Sequence, residues 1–213
     1  MRDIANIRKE YQQAELNEAL VGDDPIDFFA KWFGEAQAAD ADEVNAMTLA
    51  TVDGNNHPHA RIVLLKGVDN QEFVFYTNYL SDKGQEMAAN PNVSLLFFWK
   101  ELERQVRIEG TVSKTASQIS DEYFASRPDG SKLGAWSSPQ SRIIPNRNIL
   151  DENYLKYENR FSDQQIPRPE HWGGYSVKPQ RMEFWQGRSN RMHDRVVFLL
   201  SDSGVWEKHR LAP

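Results

Sequence analysis

The sequence predicts an α+β fold in which helices flank one antiparallel β-barrel. β-rich runs broken by turn residues fill 46–77 and 92–115, and further β-rich runs fill 173–211. Helical segments interrupt these runs instead of alternating with them, which is typical of α+β proteins and not of parallel α/β sheets. The 213 residues contain no repeat and no low-complexity linker, so we expect a single domain covering 1–213.

The first well-marked helix is predicted by a capping signal. Asp24 offers a capping side chain, Pro25 suits the first helical position, and the run 26–39 continues the helix. Upstream, residues 4–16 carry apolar side chains only loosely at helical spacing, which predicts a weak helix.

The β-rich runs predict the strands. The first three are separated by the turn-rich string GNNHP and by an Asp-Asn pair, which predicts an antiparallel meander. The apolar string SLLFFW predicts a strand buried on both faces, as in a small barrel or at a subunit contact. In chain order the predicted strands are 46–53, 59–68, 72–77, 92–99, 104–115, 173–179, 181–187, 194–202 and 205–211.

Further helices are predicted between the strands. Ser81 is a suitable cap for a short helix ending near Met87, and a second helix over 117–127 is closed by Pro128. A last helix is predicted over 149–161, and the string SSPQSRIIPNR before it predicts a loop.

Composition and charge narrow the possible functions. The chain has no cysteine, which excludes disulfides, a thiolate nucleophile and cysteine-ligated metal sites. Its formal net charge of −6 predicts no nucleic-acid or membrane partner, because the overall field repels polyanions. Charged residues occur every few positions in the first 16, which argues against a signal peptide, so a cytoplasmic location is expected.

The sequence motifs do not favour a metal site or one of the common nucleotide-binding sites. The chain lacks a phosphate-loop motif, a G-x-G-x-x-G fingerprint, a G-x-S-x-G elbow and an H-E-x-x-H pair. His57 and His59 are spaced to share a strand face, but no third ligand is evident and both border a turn. We expect solvated histidines and no metal.

One candidate cluster is the string RMHDR. If it is extended, Arg191, His193 and Arg195 lie in a row on one face, which suits an anionic or electron-rich ligand. The alternative is an exposed edge strand whose cations discourage aggregation.

A second candidate cluster lies at a predicted helix end. Tyr123 and Arg127 are four residues apart, hence on one helical face, and Ser131 follows just beyond, a set that suits a phosphate. The alternative is an ordinary surface Tyr-Arg pair. In the string RIVLLK, strict alternation puts Arg61 and Lys66 on opposite faces, so one ligand meets both only at a bulge or an edge.

Taken in order, the strings RIVLLK, FVFYTN, LERQVRIEG, EYFASRP, GAWSSPQSR, HWGGY, EFWQGRSNRMHDR and RLAP resemble the pyridoxamine 5'-phosphate oxidase family. The resemblance covers nearly the whole chain. It implies an FMN-binding split β-barrel homodimer, a Greek-key barrel with FMN in clefts between subunits. It also implies oxidation of pyridoxamine 5'-phosphate or pyridoxine 5'-phosphate to pyridoxal 5'-phosphate, with dioxygen as acceptor and hydrogen peroxide as product.

The resemblance also implies roles for individual residues. Segment 1–20 would be a mobile lid that brings Arg8 and Tyr11 to the substrate, and 171–213 would complete the barrel and the dimer interface. The implied FMN contacts are Arg61, Ile62, Val63, Leu64, Leu65, Lys66, Tyr76, Thr77, Lys83, Gln105, Gln140, Ser141, Trp185 and Arg195. The implied substrate contacts are Lys66, Tyr123, Arg127, Ser131, Arg191 and His193, of which Arg191 and His193 would be catalytic.

One position departs from the family's pattern. Where the family usually has Ser-Arg-Lys beside the flavin phosphate, this chain has Ser81, Asp82 and Lys83. The change removes a charge-assisted hydrogen bond and adds repulsion between the Asp82 carboxylate and the flavin phosphate. We expect it to weaken FMN binding by about 1–3 kcal/mol unless Asp82 turns to solvent. The alternative function is therefore a split-barrel protein that carries FMN or pyridoxal phosphate without turnover.

Overall fold

The computed structural model describes residues 10–11 and 14–213. The helices are α1 (Pro25–Ala38), α2 (Asp82–Ala89), α3 (Ser117–Ser126), α4 (Asp129–Ser137) and α5 (Asn148–Arg160), with short 3-10 turns at Glu18–Leu20 and Ser189–Arg191. The strands are β1 (Ala46–Val52), β2 (Pro58–Leu64), β3 (Gly67–Asp69), β4 (Glu72–Asn78), β5 (Asn92–Trp99), β6 (Arg104–Lys114), β7 (Trp172–Gln186), β8 (Asp194–Leu200) and β9 (Trp206–Leu211).

The strands form one curled antiparallel sheet. Its main path runs β2-β1-β5-β6-β7-β4-β3, while β8 pairs with β7 and β9 pairs with β8. The strands at the two ends of this path, β2 and β3, are separated in sequence only by Leu65 and Lys66. The sheet therefore has to curl until its ends meet, which confirms the predicted α+β barrel. The first three runs are not a simple meander, because hairpins β1–β2 and β3–β4 lie at opposite ends of the path.

Strand β7 joins two parts of the sheet. It was predicted as two strands but is one strand of 15 residues, whose first part pairs with β4 and whose last part pairs with β8. The change of neighbour occurs around Pro179, where the register with β6 shifts between Glu109 and Gly110. Gly110 is required there, because a Cβ atom on it would lie 2.1 Å from the carbonyl oxygen of Lys178.

Helix α1 packs against the barrel core. It begins as predicted at Pro25, with Asp24 accepting a 2.7 Å hydrogen bond from the Ile26 amide. The ring of Phe28 lies 4.8 Å from that of Phe184, and the buried Phe29 likewise packs on barrel aromatics. These contacts remove large apolar surfaces from water and fix the helix.

Strands β8 and β9 also hold part of the N-terminal segment. Leu16 is buried, and its amide donates to Asp194 over 3.1 Å. Its carbonyl accepts a 3.1 Å bond from Arg210 on β9. Of the helix predicted over 4–16, the described residues are not helical and the remainder lie outside the described residues, as does Arg8.

Several predicted elements were wrong in detail. The run 59–68 is two strands, β2 and β3, and residues 129–137, for which no helix was predicted, form α4. Strand β5 alternates, with Leu95 and Phe97 buried while Phe98 is 54% exposed, so the predicted burial of both faces is not found in the single chain. None of the described helices is long and apolar enough to cross a membrane.

Replacing Gly110 tests the packing of the bulge. We expect Gly110→Ala to destabilise the fold by about 1–3 kcal/mol, because backbone atoms must move to admit the methyl group. Gly34→Ala is the matched control, since Gly34 lies in α1 and a Cβ there meets nothing within 4 Å. It should stabilise the helix by about 1 kcal/mol. Urea unfolding at one fixed protein concentration measures both, and an unchanged midpoint for Gly110→Ala would contradict this account.

Candidate functional site

The candidate site is an open cavity of about 690 Å³ on the outside of the barrel. Strands β2 and β4, the first turn of α2, the face of α4 and the loop after α4 supply its walls. It lies where β2 ends and the chain crosses to β3, so Lys66 enters its lining. Lys66 follows the end of the strand instead of continuing it, so strand alternation does not set the direction of its side chain.

The charged residues that line the cavity are all cationic. They are Lys66, Lys83 and Arg127, and no carboxylate is among the described lining residues. The Arg127 guanidinium lies 4.5 Å from the centre of the Trp172 ring, and burial lowers its pKa. Its Nη1 atom is buried and has no hydrogen-bond partner among the described residues. A buried donor left unpaired is costly, so this wall fits an anionic ligand.

Two helix N-termini flank the same cavity. Helix α2 contributes Lys83 from its first turn, and its cap is the predicted Ser81. Helix α4 contributes Ser131 from its first turn, with Pro128 as the residue before it. Free amides at helix starts carry partial positive charge, and here each lies beside a cationic side chain. The arrangement suits two separate anionic groups.

A polar group holds Lys83 at one end of the cavity. Its Nζ donates to Oε1 of Gln140 over 3.3 Å, and Thr77 Oγ1 donates to the same oxygen over 3.4 Å. Burial, and then the nearby charge of Arg61, lower the Lys83 pKa. An anion bound here would reverse that effect, because it favours the charged ammonium.

Flat apolar surfaces line the rest of the cavity. The rings of Tyr76 and Tyr123 stack with centroids 3.8 Å apart, and Trp172 stands nearly parallel to Tyr76 at 5.6 Å. On β2, Ile62 is 63% and Leu64 is 37% exposed. Apolar side chains are left uncovered beside aromatic rings, which suits a planar aromatic ligand.

Arg61 points away from the cavity lining in this chain. It donates to the buried carboxylate of Glu86 over 3.1 Å, and Glu86 also accepts from Thr51 and contacts His59 Nδ1 at 2.5 Å. Burial would raise the Glu86 pKa, but these hydrogen bonds and the Arg61 charge lower it below its usual value. The carboxylate therefore stays ionised and holds Arg61 in an ion pair.

A second group of predicted residues lies elsewhere on the sheet. His193 packs against Trp185 with ring centroids 4.6 Å apart, and Tyr11 lies 5.7 Å from Trp185. The amide of Arg188 donates to His193 Nδ1 over 3.1 Å, which puts the proton of the neutral ring on Nε2. Burial, and then the charge of Arg191, lower the His193 pKa.

The RMHDR string is not one extended row. Arg191 belongs to a 3-10 turn and has φ of 60°, His193 lies between elements, and only Arg195 is on a strand. The predicted alternation was therefore wrong. Arg195 instead bonds the buried Glu183, which also pairs with two other arginines.

The predicted site residues thus fall into two groups. Those lining the cavity are Ile62, Val63, Leu64, Lys66, Tyr76, Thr77, Lys83, Tyr123, Arg127, Ser131 and Gln140. Those outside its lining are Tyr11, Arg61, Leu65, Gln105, Ser141, Trp185, Arg191, His193 and Arg195. Gln105 pairs with Trp185 across β6 and β7, so it belongs with the second group.

Sequence reasoning missed some of the lining. Asn78, Ser138 and Trp172 line the cavity but were not named individually. Each falls inside a string used for the resemblance, which was the available signal. Pro128, Gly134 and Ala135 fall inside the same strings, but none was assigned to a site, because α4 was not predicted.

The histidines considered for a metal have carboxylate neighbours. His57 Nδ1 lies 3.2 Å from Asp53, and His59 contacts Glu86. Within the part of the chain that the structure describes, no group of three or more potential metal-ligating side chains is found.

Family models and individual relatives point to the same protein family. Residues 33–159 match the family described as "Pyridoxamine 5'-phosphate oxidase", and residues 172–213 match the "Pyridoxine 5'-phosphate oxidase C-terminal dimerisation region". A pyridoxine/pyridoxamine 5'-phosphate oxidase of Leptospira interrogans is 54% identical over 99% of this chain and 98% of its own length. One from Salinibacter ruber is 53% identical over the full length of both chains.

Solved structures agree on the fold. PhzG from Burkholderia lata 383, in complex with tetrahydrophenazine-1-carboxylic acid, superposes with a TM-score of 0.88 at 25% identity, over 95% of this chain and 99% of its own. A pyridoxamine 5'-phosphate oxidase-related, FMN-binding protein of Nostoc punctiforme gives 0.71 at 14% identity, over 94% and 100%. The fold is thus the split barrel, and this chain belongs to the pyridoxamine 5'-phosphate oxidase family.

Proposed function

We propose that this chain is an FMN-dependent oxidase that converts pyridoxamine 5'-phosphate or pyridoxine 5'-phosphate to pyridoxal 5'-phosphate. Dioxygen is the acceptor and is reduced to hydrogen peroxide; with the amine substrate, water is also consumed and ammonia is released. The names of relatives above 50% identity support this activity. The observation that carries it is the cavity itself, whose charged lining is wholly cationic and whose Arg127 has a buried donor without a partner.

The residues at the α2 end fit FMN. Lys83 and the α2 N-terminus suit its phosphate, while Thr77 and Gln140 offer a hydroxyl and an amide to the polar edge of the ring system. The exposed Ile62 provides an apolar surface for the ring face. When bound, FMN supplies the hydride-accepting chemistry and the reaction with dioxygen that the protein's own side chains lack.

The α4 end fits the substrate phosphate. Arg127 offers a forked donor, Ser131 a hydroxyl at the start of α4, and Tyr123 and Lys66 complete the lining there. Binding the phosphate at this end orients the pyridine ring, because contacts remote from the reacting carbon supply the free energy of alignment.

Arg191 and His193 complete the site from a second copy of the chain. Trp172 lines the cavity, while Trp185, which contacts His193, lies on the same strand β7. The two positions are 13 residues apart on this strand, which corresponds to up to about 40 Å at 3.3 Å per residue. A separation of this kind along one strand favours a site in which the cavity of one copy meets the second group of another copy. Residues 172–213 match a dimerisation region, which supports a homodimer with shared sites.

The described geometry supports a role for Arg191 and His193 at the substrate. His193 keeps its proton on Nε2, because Nδ1 accepts the Arg188 amide, so it presents a donor to a substrate oxygen or nitrogen. The Arg191 guanidinium stabilises negative charge developing on the same atom. Tyr11 packs beside both Trp185 and His193, where it helps to exclude water.

Asp82 favours one alternative, a protein that binds FMN or pyridoxal phosphate without turnover, since the carboxylate opposes the flavin phosphate. The retention of a full substrate-phosphate set argues against it, because a carrier of FMN needs no second phosphate site. The cytoplasmic location and the lack of a nucleic-acid partner stay predictions.

Turnover by the purified protein tests the function. The protein should absorb in the visible flavin range after incubation with FMN and removal of the excess. It should then release peroxide when pyridoxamine 5'-phosphate is added in air, and bleach when it is added without oxygen. A coupled peroxidase assay and an absorption spectrum measure these. A yellow protein that releases no peroxide and does not bleach would establish the carrier instead.

Subunit complementation tests the shared site. We expect Arg127→Gln and Arg191→Met each to reduce kcat/KM by about a hundredfold, since each removes a charge-assisted contact. Arg191→Met should do so with normal FMN content. A dimer of one Arg127→Gln chain and one Arg191→Met chain has one intact site and one site that lacks both residues. Random mixing of equal amounts makes about half of the dimers mixed, so the mixture should show about a quarter of the wild-type activity. Mixtures no better than either variant would place both residues in one chain's site.

The acid side of the pH profile tests His193. Protonating Nδ1 breaks its bond to the Arg188 amide, so kcat/KM should fall as pH drops through the His193 pKa. Burial and Arg191 lower that pKa, so the loss should set in below the ordinary value of 6.5. In His193→Gln this acid limb should disappear, at a lower overall rate. An unchanged limb in the variant would assign the titration to another group.

A further inference from the structure

The flavin-phosphate end of the site contains an unexpected carboxylate. Asp82 is the first residue of α2 and directly precedes Lys83, where the family resemblance implies an arginine. The carboxylate is 60% exposed, so it has room to turn to solvent. Its charge nevertheless reaches Lys83, because it favours the charged ammonium there. A bound phosphate at this end would meet repulsion from the same carboxylate unless another cation offsets it.

Arg142 is the cation placed to do this. Its Nη1 lies 3.9 Å from Asp82 Oδ1, and its Nη2 donates to the carbonyl of Leu80 over 2.7 Å. Leu80 immediately precedes the cap of α2, so the guanidinium is held at the start of that helix. Nothing in the resemblance assigned a role to Arg142.

The backbone conformation of the 138–142 loop places Arg142 at the start of α2. Gln140 contacts Lys83 inside the cavity, and Arg142 contacts Asp82 just outside it. Ser141, between them, has a φ of 68°. This is the left-handed region of backbone conformation, which residues other than glycine adopt only rarely. This turn sends two side chains of one loop to either side of the α2 N-terminus.

We propose that Arg142 supports FMN binding in this chain by neutralising Asp82, and so replaces the charge that the family usually supplies from the position of Asp82. The inference rests on the proposed function. Arg142 acts on the ligand mainly through Asp82, so it is a positioning and charge-balancing residue. An exposed pair adds little to folding stability, but its effect on a nearby phosphate dianion is larger, because the dianion interacts with whichever charge is left uncompensated.

A double-mutant cycle on FMN affinity tests the proposal. The dissociation constant is measured by quenching of flavin fluorescence for the wild type, Arg142→Gln, Asp82→Asn and the double variant, at low and high salt. Arg142→Gln should weaken binding about tenfold at low salt and less at high salt. Asp82→Asn should bind at least as tightly as the wild type. The double variant should return close to wild-type affinity, because the carboxylate that needed neutralising is gone.

Controls separate charge from folding. Arg142→Lys keeps the charge and should retain most of the affinity. Arg147→Gln removes an exposed arginine five positions along the same loop, for which the structure describes no ion pair, and should bind FMN normally. Thermal melts without FMN check that each variant is folded.

Two results would overturn the proposal. Wild-type affinity in Arg142→Gln would show that Asp82 needs no partner. A double variant as weak as Arg142→Gln alone would show that Arg142 acts independently of Asp82. Either result leaves the proposed function standing, whereas a wild-type chain that binds no FMN removes both.

Discussion

The fold depends on the short connection between β2 and β3. These strands end the main sheet path on opposite sides, yet only Leu65 and Lys66 separate them. The amide of Leu65 donates to Asn45 before β1, while that of Lys66 donates to Val74 on β4, each over 2.8 Å. Two consecutive amides thus bond opposite ends of the sheet, and the barrel closes around the buried Leu65 side chain. The cavity forms outside this joint, which is why Lys66 lines it.

The same arrangement concentrates positive charge in an acidic protein. The chain has a formal charge of −6, yet the cavity's charged lining is cationic and partly desolvated. Burial lowers the pKa of both Lys83 and Arg127, which means that the ligand-free protein holds these charges at a cost. An anionic group bound beside these side chains would relieve that cost. Part of the ligand affinity is therefore stored in the folded protein as unfavourable charge, a common feature of functional sites.

Local signals predicted local structure well. The Asp24-Pro25 start of α1 and the Ser81 cap of α2 were both found, because capping depends on neighbours in sequence. Helix α4 was missed because Pro128 was interpreted only as the end of α3, although proline also suits the start of a helix. Strand β7 was divided because Pro179 resembles a strand end, whereas it lies at a change of pairing partner. Pairing partners are distant in sequence, and no local pattern encodes them.

Local sequence patterns also could not predict that the site residues fall into two groups, one lining the cavity and one around Trp185 and His193. This division has a thermodynamic consequence. Each chain carries both groups, but the continuous β7 strand holds Trp172 and Trp185 apart. A ligand that contacts the cavity of one copy and His193 of another stabilises their association by as much as association strengthens its binding. Under the proposed function that ligand is the substrate, so substrate binding and dimerisation would be one coupled equilibrium. The cations at the α4 end, Arg127 and Lys66, would then act on assembly as well as on substrate affinity, although neither residue needs to touch the second copy.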